Sequence, residues 1–179
     1  MFRFPYRRVW VEPAPAIAPA RPGFLARLVG FFAGKPPTKA TAATSASENL
    51  PRPFVSIRIT GPIAARRLKS ALLDTGSQDT LFPMELAEPL GIVLGGERAA
   101  LKWRGQRYWV EFHKVELELA QDGTAWRWRA RVGFTPAPLA YALLGQRGCL
   151  ELLDAKFRGA DQIVELETNR AFLGSTNTA

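Results

Sequence analysis

The sequence is short of the residues that build disulfide frameworks and metal sites. Cysteine and histidine occur once each, as Cys149 and His113. One cysteine excludes an intrachain disulfide, and one histidine without an acid or cysteine cluster at metal spacing argues against a metal site. Cys149 lies in an apolar stretch, which favours a buried structural thiol over a nucleophile. We therefore expect no metal, no cofactor and a cytoplasmic location.

The chain also lacks an apolar run long enough to cross a bilayer, which takes roughly 20 residues. Residues 24–33 are the best candidate and are about half that length. A signal peptide is disfavoured because Glu12 and several prolines interrupt the region that should be continuously apolar. Two interpretations of residues 24–33 remain open, an interfacial helix attracted to anionic lipid and a segment packed on the domain. We favour a loosely packed or disordered extension over membrane contact.

Charge and composition divide the chain into three parts. Residues 1–50 are rich in proline and alanine and hold seven of the 24 basic residues against two acidic ones, whereas the whole chain has a net charge of +8. Prolines disfavour regular structure there, although residues 2–6 are compatible with a short edge strand, and residues 35–49 have the composition of a linker. We predict a folded domain over residues 51–172 and a tail over 173–179. Because the domain is nearly balanced in charge, no nucleic-acid partner is expected.

The most informative motif is Asp74-Thr75-Gly76-Ser77, which lies between two apolar runs. An ionisable group between hydrophobic segments is costly unless it is hydrogen-bonded or functional. Asp-Thr-Gly also forms ordinary turns, so the motif depends on its surroundings. The surrounding pattern predicts, in order, a strand over 54–60, a strand over 68–73, a short helix over 83–88, an apolar run over 141–145, a short helix over 150–154 and a closing strand over 163–167.

This order resembles the retropepsin-like aspartic proteases, over roughly residues 50–170. The resemblance has two anchors, Leu72 to Ser77 and Leu143-Leu144-Gly145. Small bacterial members of the family are similar also at Phe4-Pro5-Tyr6-Arg7 and over 144–151. The resemblance implies an all-β chain with one or two short helices, a single-lobed acid-protease barrel acting as a homodimer, and hydrolysis of peptide or protein substrates by an aspartic endopeptidase.

The resemblance also implies roles for individual residues. Asp74 would be the catalytic carboxylate and Thr75 would hydrogen-bond across the dimer axis. Gly76 would admit the substrate backbone, and Ser77 could hydrogen-bond the outer oxygen of Asp74. Leu143, Leu144 and Gly145 would pack behind the loop, with glycine permitting the close approach.

The chain contains one Asp-Thr-Gly, whereas the expected chemistry needs two carboxylates that share a proton. Asp79, Asp122 and Asp154 are better interpreted as turn or surface residues, so a homodimer with two copies of Asp74 is predicted. The retroviral pattern has an acid and an arginine where this chain has Gln78 and Gln146, and two amides could pair instead. A protease-like dimerisation or peptide-binding module without catalysis remains the alternative.

Two further stretches have alternating patterns. Residues 101–110 predict a hairpin around Gly105, interpreted either as a substrate-covering flap with Trp103, Gly105 and Tyr108 or as an ordinary surface hairpin. Residues 126–131 place two tryptophans on one strand face and three arginines on the other. We favour a half-buried strand there, whose arginines face the glutamates of residues 115–119 across a strand pair, over a groove for acidic ligands.

Overall fold

β-Strands dominate the chain, whose structure is a computed structural model that describes residues 1–8 and 50–178. The strands of these residues are β1 (Phe2–Pro5), β2 (Arg7–Arg8), β3 (Pro51–Arg52), β4 (Phe54–Thr60), β5 (Ala65–Leu73), β6 (Leu81–Pro83), β7 (Arg98–Trp103), β8 (Gln106–Gln121), β9 (Thr124–Thr135), β10 (Ala142–Leu144), β11 (Leu153–Arg158), β12 (Ile163–Thr168) and β13 (Ser175–Thr178). Three single-turn 3₁₀ helices accompany them, at Met84–Leu86, Glu88–Leu90 and Leu150–Leu152. The prediction of an all-β chain with short helices is confirmed.

Six of the strands form a closed ring. Neighbouring strands follow the order β9-β6-β10-β5-β4-β8, and β8 pairs again with β9. Closure leaves these six strands without a free edge between them, and β7 and β13 extend the sheet beyond the ring. β1, β12 and β11 form a separate three-stranded sheet, and β2 pairs with β3. The ring encloses a core of aliphatic and aromatic side chains, among them Ile57, Ile59, Leu117, Trp128 and Val132.

The long hairpin of β8 and β9 shows why the alternating pattern folds as it does. Trp126 and Trp128 point inward and are 5% and 3% exposed, whereas the arginines between and after them point outward. Arg127 lies opposite Glu118 and its Nε donates to that carboxylate over 2.6 Å. Burial of the tryptophans stabilises the inner face, and on the outer face the partly exposed Arg127 supplies the charge partner that the buried Glu118 carboxylate requires. The interpretation as a half-buried strand is confirmed.

The two ends of the described chain both add strands. β1 pairs antiparallel with β12, and the Phe2 ring stacks on Trp126 with centroids 3.8 Å apart. β13 pairs antiparallel with β9. The short edge strand expected near residues 2–6 is therefore present. The compact unit reaches beyond the predicted boundaries of 51–172 at both ends, because the apolar side of β1 packs on the domain and β13 pairs with residues 124–127 of β9, a stretch that the short strand β6 does not reach.

Several predicted elements differ in extent. The strand at residues 54–60 matches β4, and the strand predicted over 68–73 begins earlier, at Ala65. The helix expected over 150–154 ends at Leu152, because Leu153 and Asp154 pair with β12 as the start of β11. The strand at 163–167 corresponds to β12 and is followed by β13.

Some predictions fall on residues 9–49, which lie outside the described residues. They concern the basic extension, the linker at 35–49 and the apolar run at 24–33. In the part of the chain that the structure does describe, no helix has the length and apolar character needed to cross a membrane.

Candidate active site

Two parallel strands bring the two predicted anchors together. β5 and β10 pair in parallel, with Leu72 opposite Leu143 and Leu73 opposite Leu144. Both strands end at the same level, so Asp74 and Gly145 emerge side by side at one edge of the ring. The backbone N–H of Asp74 donates to the carbonyl oxygen of Leu144 over 3.0 Å, which continues the ladder by one residue. The two sequence motifs, whose glycines Gly76 and Gly145 are 69 positions apart, thus form one structural unit.

The Asp74 carboxylate is held by its own loop. The backbone N–H of Gly76 donates to Asp74 Oδ1 over 3.0 Å, and the N–H of Ser77 donates to the Asp74 carbonyl over 3.1 Å. The Asp74 side chain is half-buried, while Thr75 and Gly76 at the tip of the loop are exposed. A carboxylate fixed by a backbone donor beside an exposed loop tip is available both to solvent and to a second molecule.

Ser77 does not make the contact predicted for it. Its hydroxyl donates to the carbonyl oxygen of Asp79 over 2.7 Å and not to the Asp74 carboxylate. The chain turns back at Ser77 to reach β6, so the Asp79 carbonyl lies nearer to the hydroxyl than the outer oxygen of Asp74 does. The Ser77 hydroxyl therefore stabilises the loop through the Asp79 carbonyl, and the donor to the Asp74 carboxylate is Gly76 N–H.

Gly145 sits against the backbone of the loop, as predicted. A methyl group at this position would lie 2.3 Å from the carbonyl oxygen of Asp79 and 2.8 Å from that of Ser77. The close approach lets Gln146 N–H donate to the Ser77 carbonyl over 2.9 Å. Gly145 N–H also donates to the buried hydroxyl of Thr80 over 3.2 Å. Glycine is required here by space, since its φ is not in the left-handed region.

An ion pair joins the two anchors one residue beyond the positions where the sequence lacks charges. Arg147 Nε lies 2.8 Å from Asp79 Oδ1 and its Nη2 donates to Asp79 Oδ2 over 2.8 Å. The two segments also form a parallel bridge at these residues. The hydrogen bond to Asp79 raises the pKa of the Arg147 guanidinium further above its ordinary value. Gln146 instead donates its amide to the Thr75 carbonyl over 3.4 Å.

Sequence reasoning missed this pair and treated Asp79 as a turn or surface residue. The side chain of Asp79 is 17% exposed and engages two arginines, because Arg131 lies 3.5 Å away on β9. A signal was present in the sequence. Asp79 and Arg147 directly follow Gln78 and Gln146, the two residues for which a pairing across the segments was considered.

The hairpin predicted around Gly105 is formed by β7 and β8. Arg104 and Gly105 have φ values of 49° and 81°, the geometry of a two-residue turn. Trp103 packs in a cluster that includes Leu143 and Leu81, from the two strands beside the Asp74 loop. Its indole N–H is enclosed and has no acceptor among the described residues. Tyr108 donates its hydroxyl to Gln106 at the turn. The hairpin therefore shares a cluster with the strands that carry the anchors.

The other two candidate residues, Cys149 and His113, lie in surroundings that indicate structural roles. Cys149 is fully buried directly after Gly148, and burial raises the pKa of its thiol to about 12. His113 is half-buried on β8, opposite Val132. In the described part of the chain, no group of three or more histidine, cysteine, aspartate or glutamate side chains is placed to hold a metal ion.

Comparison with known proteins adds no relative to these observations. A scan against models of protein families finds none that matches the chain, and a search of curated proteins finds no match either.

Proposed function

We propose that this chain is an aspartic endopeptidase of the retropepsin-like type, which hydrolyses peptide bonds between the Asp74 carboxylates of two identical chains. The observation that carries the proposal is the Asp74 loop itself. The Asp74 carboxylate follows directly after β5, where Ala71 and Leu73 are buried, accepts a hydrogen bond from Gly76 N–H, and lies beside Gly145, which follows the parallel strand β10. The hydrogen bond from Gly76 N–H to Asp74 is also that of an ordinary Asx turn, so the proposal rests on the combination of this loop with the parallel segment at Gly145.

The second carboxylate comes from a second copy. Among the acids weighed as partners, Asp79 is bound by Arg147, Asp122 lies in the turn between β8 and β9, and Asp154 is exposed on β11 in the other sheet. None of these mirrors the strand and loop around Asp74. The exposed Thr75 and Gly76 leave the loop tip free to meet its own copy about a two-fold axis.

The chemistry follows from two carboxylates that share one proton. Like charges a few ångströms apart cannot both ionise easily, so the pair titrates as a unit. The ionised member takes a proton from water, whose oxygen attacks the peptide carbonyl carbon. The protonated member donates to the carbonyl oxygen, and the tetrahedral intermediate collapses as the nitrogen is protonated and leaves. The Gly76 N–H helps to keep the carboxylate oriented during these transfers.

In this proposal the hairpin of β7 and β8 covers the bound substrate. Its inner side chains, Leu101 and Trp103, pack in the cluster formed with Leu143 and Leu81 beside the loop. Closure of such a hairpin excludes water other than the nucleophile.

The first experiment compares cleavage of an unstructured protein by wild type, Asp74→Asn and Asp154→Asn at pH 5 and pH 7. The exposed Asp154 is the matched control for the same chemical change. We expect Asp74→Asn to lower the rate by at least roughly 10²–10⁴-fold, the contribution of positioned acid–base groups. Asp154→Asn should cleave like wild type, and a transition-state analogue of the statine type should block both active proteins.

Subunit mixing tests the shared site. A tenfold excess of Asp74→Asn chain should reduce wild-type activity to roughly a tenth, because most wild-type chains then sit in mixed dimers. Equal cleavage by Asp74→Asn would remove Asp74 from the mechanism. A stable dimer without any cleavage would support the alternative, a dimerisation or peptide-binding module.

A further inference from the structure

Four charged side chains from four separate segments meet beside the Asp74 loop. Asp79 belongs to the segment that leaves the loop, Arg147 follows the second anchor, Arg131 lies on β9 and Glu97 directly precedes β7. Arg147 binds Asp79, and Arg131 reaches both carboxylates, with its Nη1 3.5 Å from Asp79 Oδ1 and its Nε 3.0 Å from Glu97 Oε2. Its Nη2 also donates to Glu97 Oε1. Arg131 is thus the only one of the four that contacts both acids.

Packing fixes Arg131 in this position. Its guanidinium carbon lies 3.5 Å from the centroid of the Phe112 ring, a cation–π contact on the neighbouring strand β8. Its side chain is 33% exposed, compared with 64% for Glu97. The hydrogen bond from Arg131 holds the pKa of Glu97 below its ordinary value. An isolated surface pair contributes little, but a guanidinium that is stacked and shared by two carboxylates has a restricted orientation.

The Asp79 and Glu97 carboxylates belong to different parts of the candidate site. Asp79 is five residues beyond Asp74, and its carbonyl oxygen receives the Ser77 hydroxyl that closes the loop. Glu97 is at the base of the β7–β8 hairpin, where its carbonyl oxygen accepts the Phe112 N–H over 2.9 Å. On its other side Glu97 follows Gly95 and Gly96. No side chain restrains Gly95, where an added methyl group would meet nothing within 4 Å. The Glu97 carboxylate therefore adds a side-chain restraint to the backbone hydrogen bond and strand pairing that already hold this end of the hairpin.

We propose that Arg131 is a positioning residue that ties the base of the β7–β8 hairpin, at Glu97, to the segment that leaves the Asp74 loop, at Asp79. The tie holds the hairpin in one resting position relative to the loop. Loss of either carboxylate contact frees the hairpin base without unfolding the ring, since the backbone pairing of β7 with β8 does not involve Arg131. The role of the hairpin as a substrate cover rests on the proposed function, whereas the tie itself does not.

The experiment measures amide hydrogen exchange in the full-length protein, which requires no catalytic activity. Arg131→Met keeps the aliphatic length and removes both ion contacts. Arg129→Met is the matched control, because Arg129 points outward from the same strand and makes no ion pair among the described residues. We expect residues 98–110 to exchange about three- to tenfold faster in Arg131→Met, with unchanged exchange in β11 and β12. Arg129→Met should behave like wild type, and Arg131→Lys should restore part of the protection.

A double-mutant cycle separates a tie from general packing. Asp79→Asn and Glu97→Gln alter groups that are joined through Arg131, so their effects on exchange at 98–110 should be less than multiplicative in wild type and multiplicative in Arg131→Met. Equal acceleration in Arg129→Met, a uniform rise in all strands, or multiplicative effects in the wild-type background would each overturn the proposal. If exchange responds as expected but no variant cleaves peptides, the tie stands and the proposed proteolysis fails.

Discussion

Gly145 offers the sharpest test of how the candidate site is built. Alanine at this position places its methyl carbon 2.3 Å from the Asp79 carbonyl oxygen, whereas ordinary contacts begin at 3.4 Å. The second anchor and the loop must therefore separate by about 1.1 Å (3.4 minus 2.3 Å). The obstructing atoms belong to the backbone, so no side chain can rotate away.

The separation breaks hydrogen bonds that join the two anchors. The Gln146 N–H to Ser77 carbonyl bond and the Arg147 N–H to Gln78 carbonyl bond are both 2.9 Å long. An increase of about 1 Å takes them beyond hydrogen-bonding distance. Overpacking costs about 1–3 kcal/mol and each lost bond about 0.5–1.5 kcal/mol, with partial overlap between the two effects. The gain from replacing glycine in the unfolded chain offsets about 0.5 kcal/mol. A net loss of about 2–3 kcal/mol follows.

Urea unfolding followed by tryptophan fluorescence measures the change in the free energy of unfolding. Gly159→Ala is the matched control, since a methyl group there meets nothing within 4 Å and its φ is not left-handed. The control should remain within about 0.5 kcal/mol of wild type. Gly145→Ala should also lower the midpoint of thermal unfolding by about 8–12 °C, given about 4 °C per kcal/mol for a domain of this size. Equal stability of Gly145→Ala and Gly159→Ala would refute the close-contact argument.

Two further predictions concern buried ionisable groups. The Cys149 thiol, with its pKa raised to about 12 by burial, should resist a disulfide exchange reagent at pH 8 in the folded protein and react within seconds in denaturant; rapid reaction of the native thiol would contradict its burial. The Arg158 guanidinium, whose Nε forms an ion pair with Glu165 Oε2 over 3.0 Å, and a hydrogen bond donated by Arg3 hold the pKa of Glu165 below the ordinary 4.5. A depressed pKa contributes stability that is present above the unfolded value and is lost as the pH falls through the folded value. Wild type should therefore be more stable than Glu165→Gln at pH 7, and the difference, measured by urea unfolding, should shrink below about pH 4; a difference independent of pH would show that the ion contacts are not its cause.

Sequence reasoning was most successful where one periodicity governed a long segment. Strand β4, the outward arginines of β9 and the hairpin around Gly105 all followed from alternation and turn residues. It was least successful at short elements and at chain ends. Leu153 and Asp154 continue an apolar helical pattern locally, yet they pair with β12, because a vacant strand edge outweighs the weak preference of a single helical turn.

The candidate site likewise contains features that were predicted correctly and features that were not. The Asp74 motif was noted from residue types, whereas the second anchor and the close approach at Gly145 were expected from the family resemblance. The contact made by Ser77 was predicted wrongly, and the Asp79–Arg147 pair was missed. Both depend on which oxygen lies nearest after the loop has folded, and sequence spacing does not specify that distance.

Taken by itself, the sequence determined the alternating strands, the single Asp-Thr-Gly motif and the hairpin around Gly105, because hydrophobic periodicity and turn residues act over a few residues, whereas the pairing of the two anchors was expected from the family resemblance. Only the tertiary structure decided that the strands close into a ring, that β1 and β13 complete the sheets, and that Arg131 joins Asp79 to Glu97. These features depend on contacts such as Arg131 with Glu97, 34 positions apart, and Phe2 with Leu166, 164 positions apart, and such contacts are fixed by the packing of the whole chain.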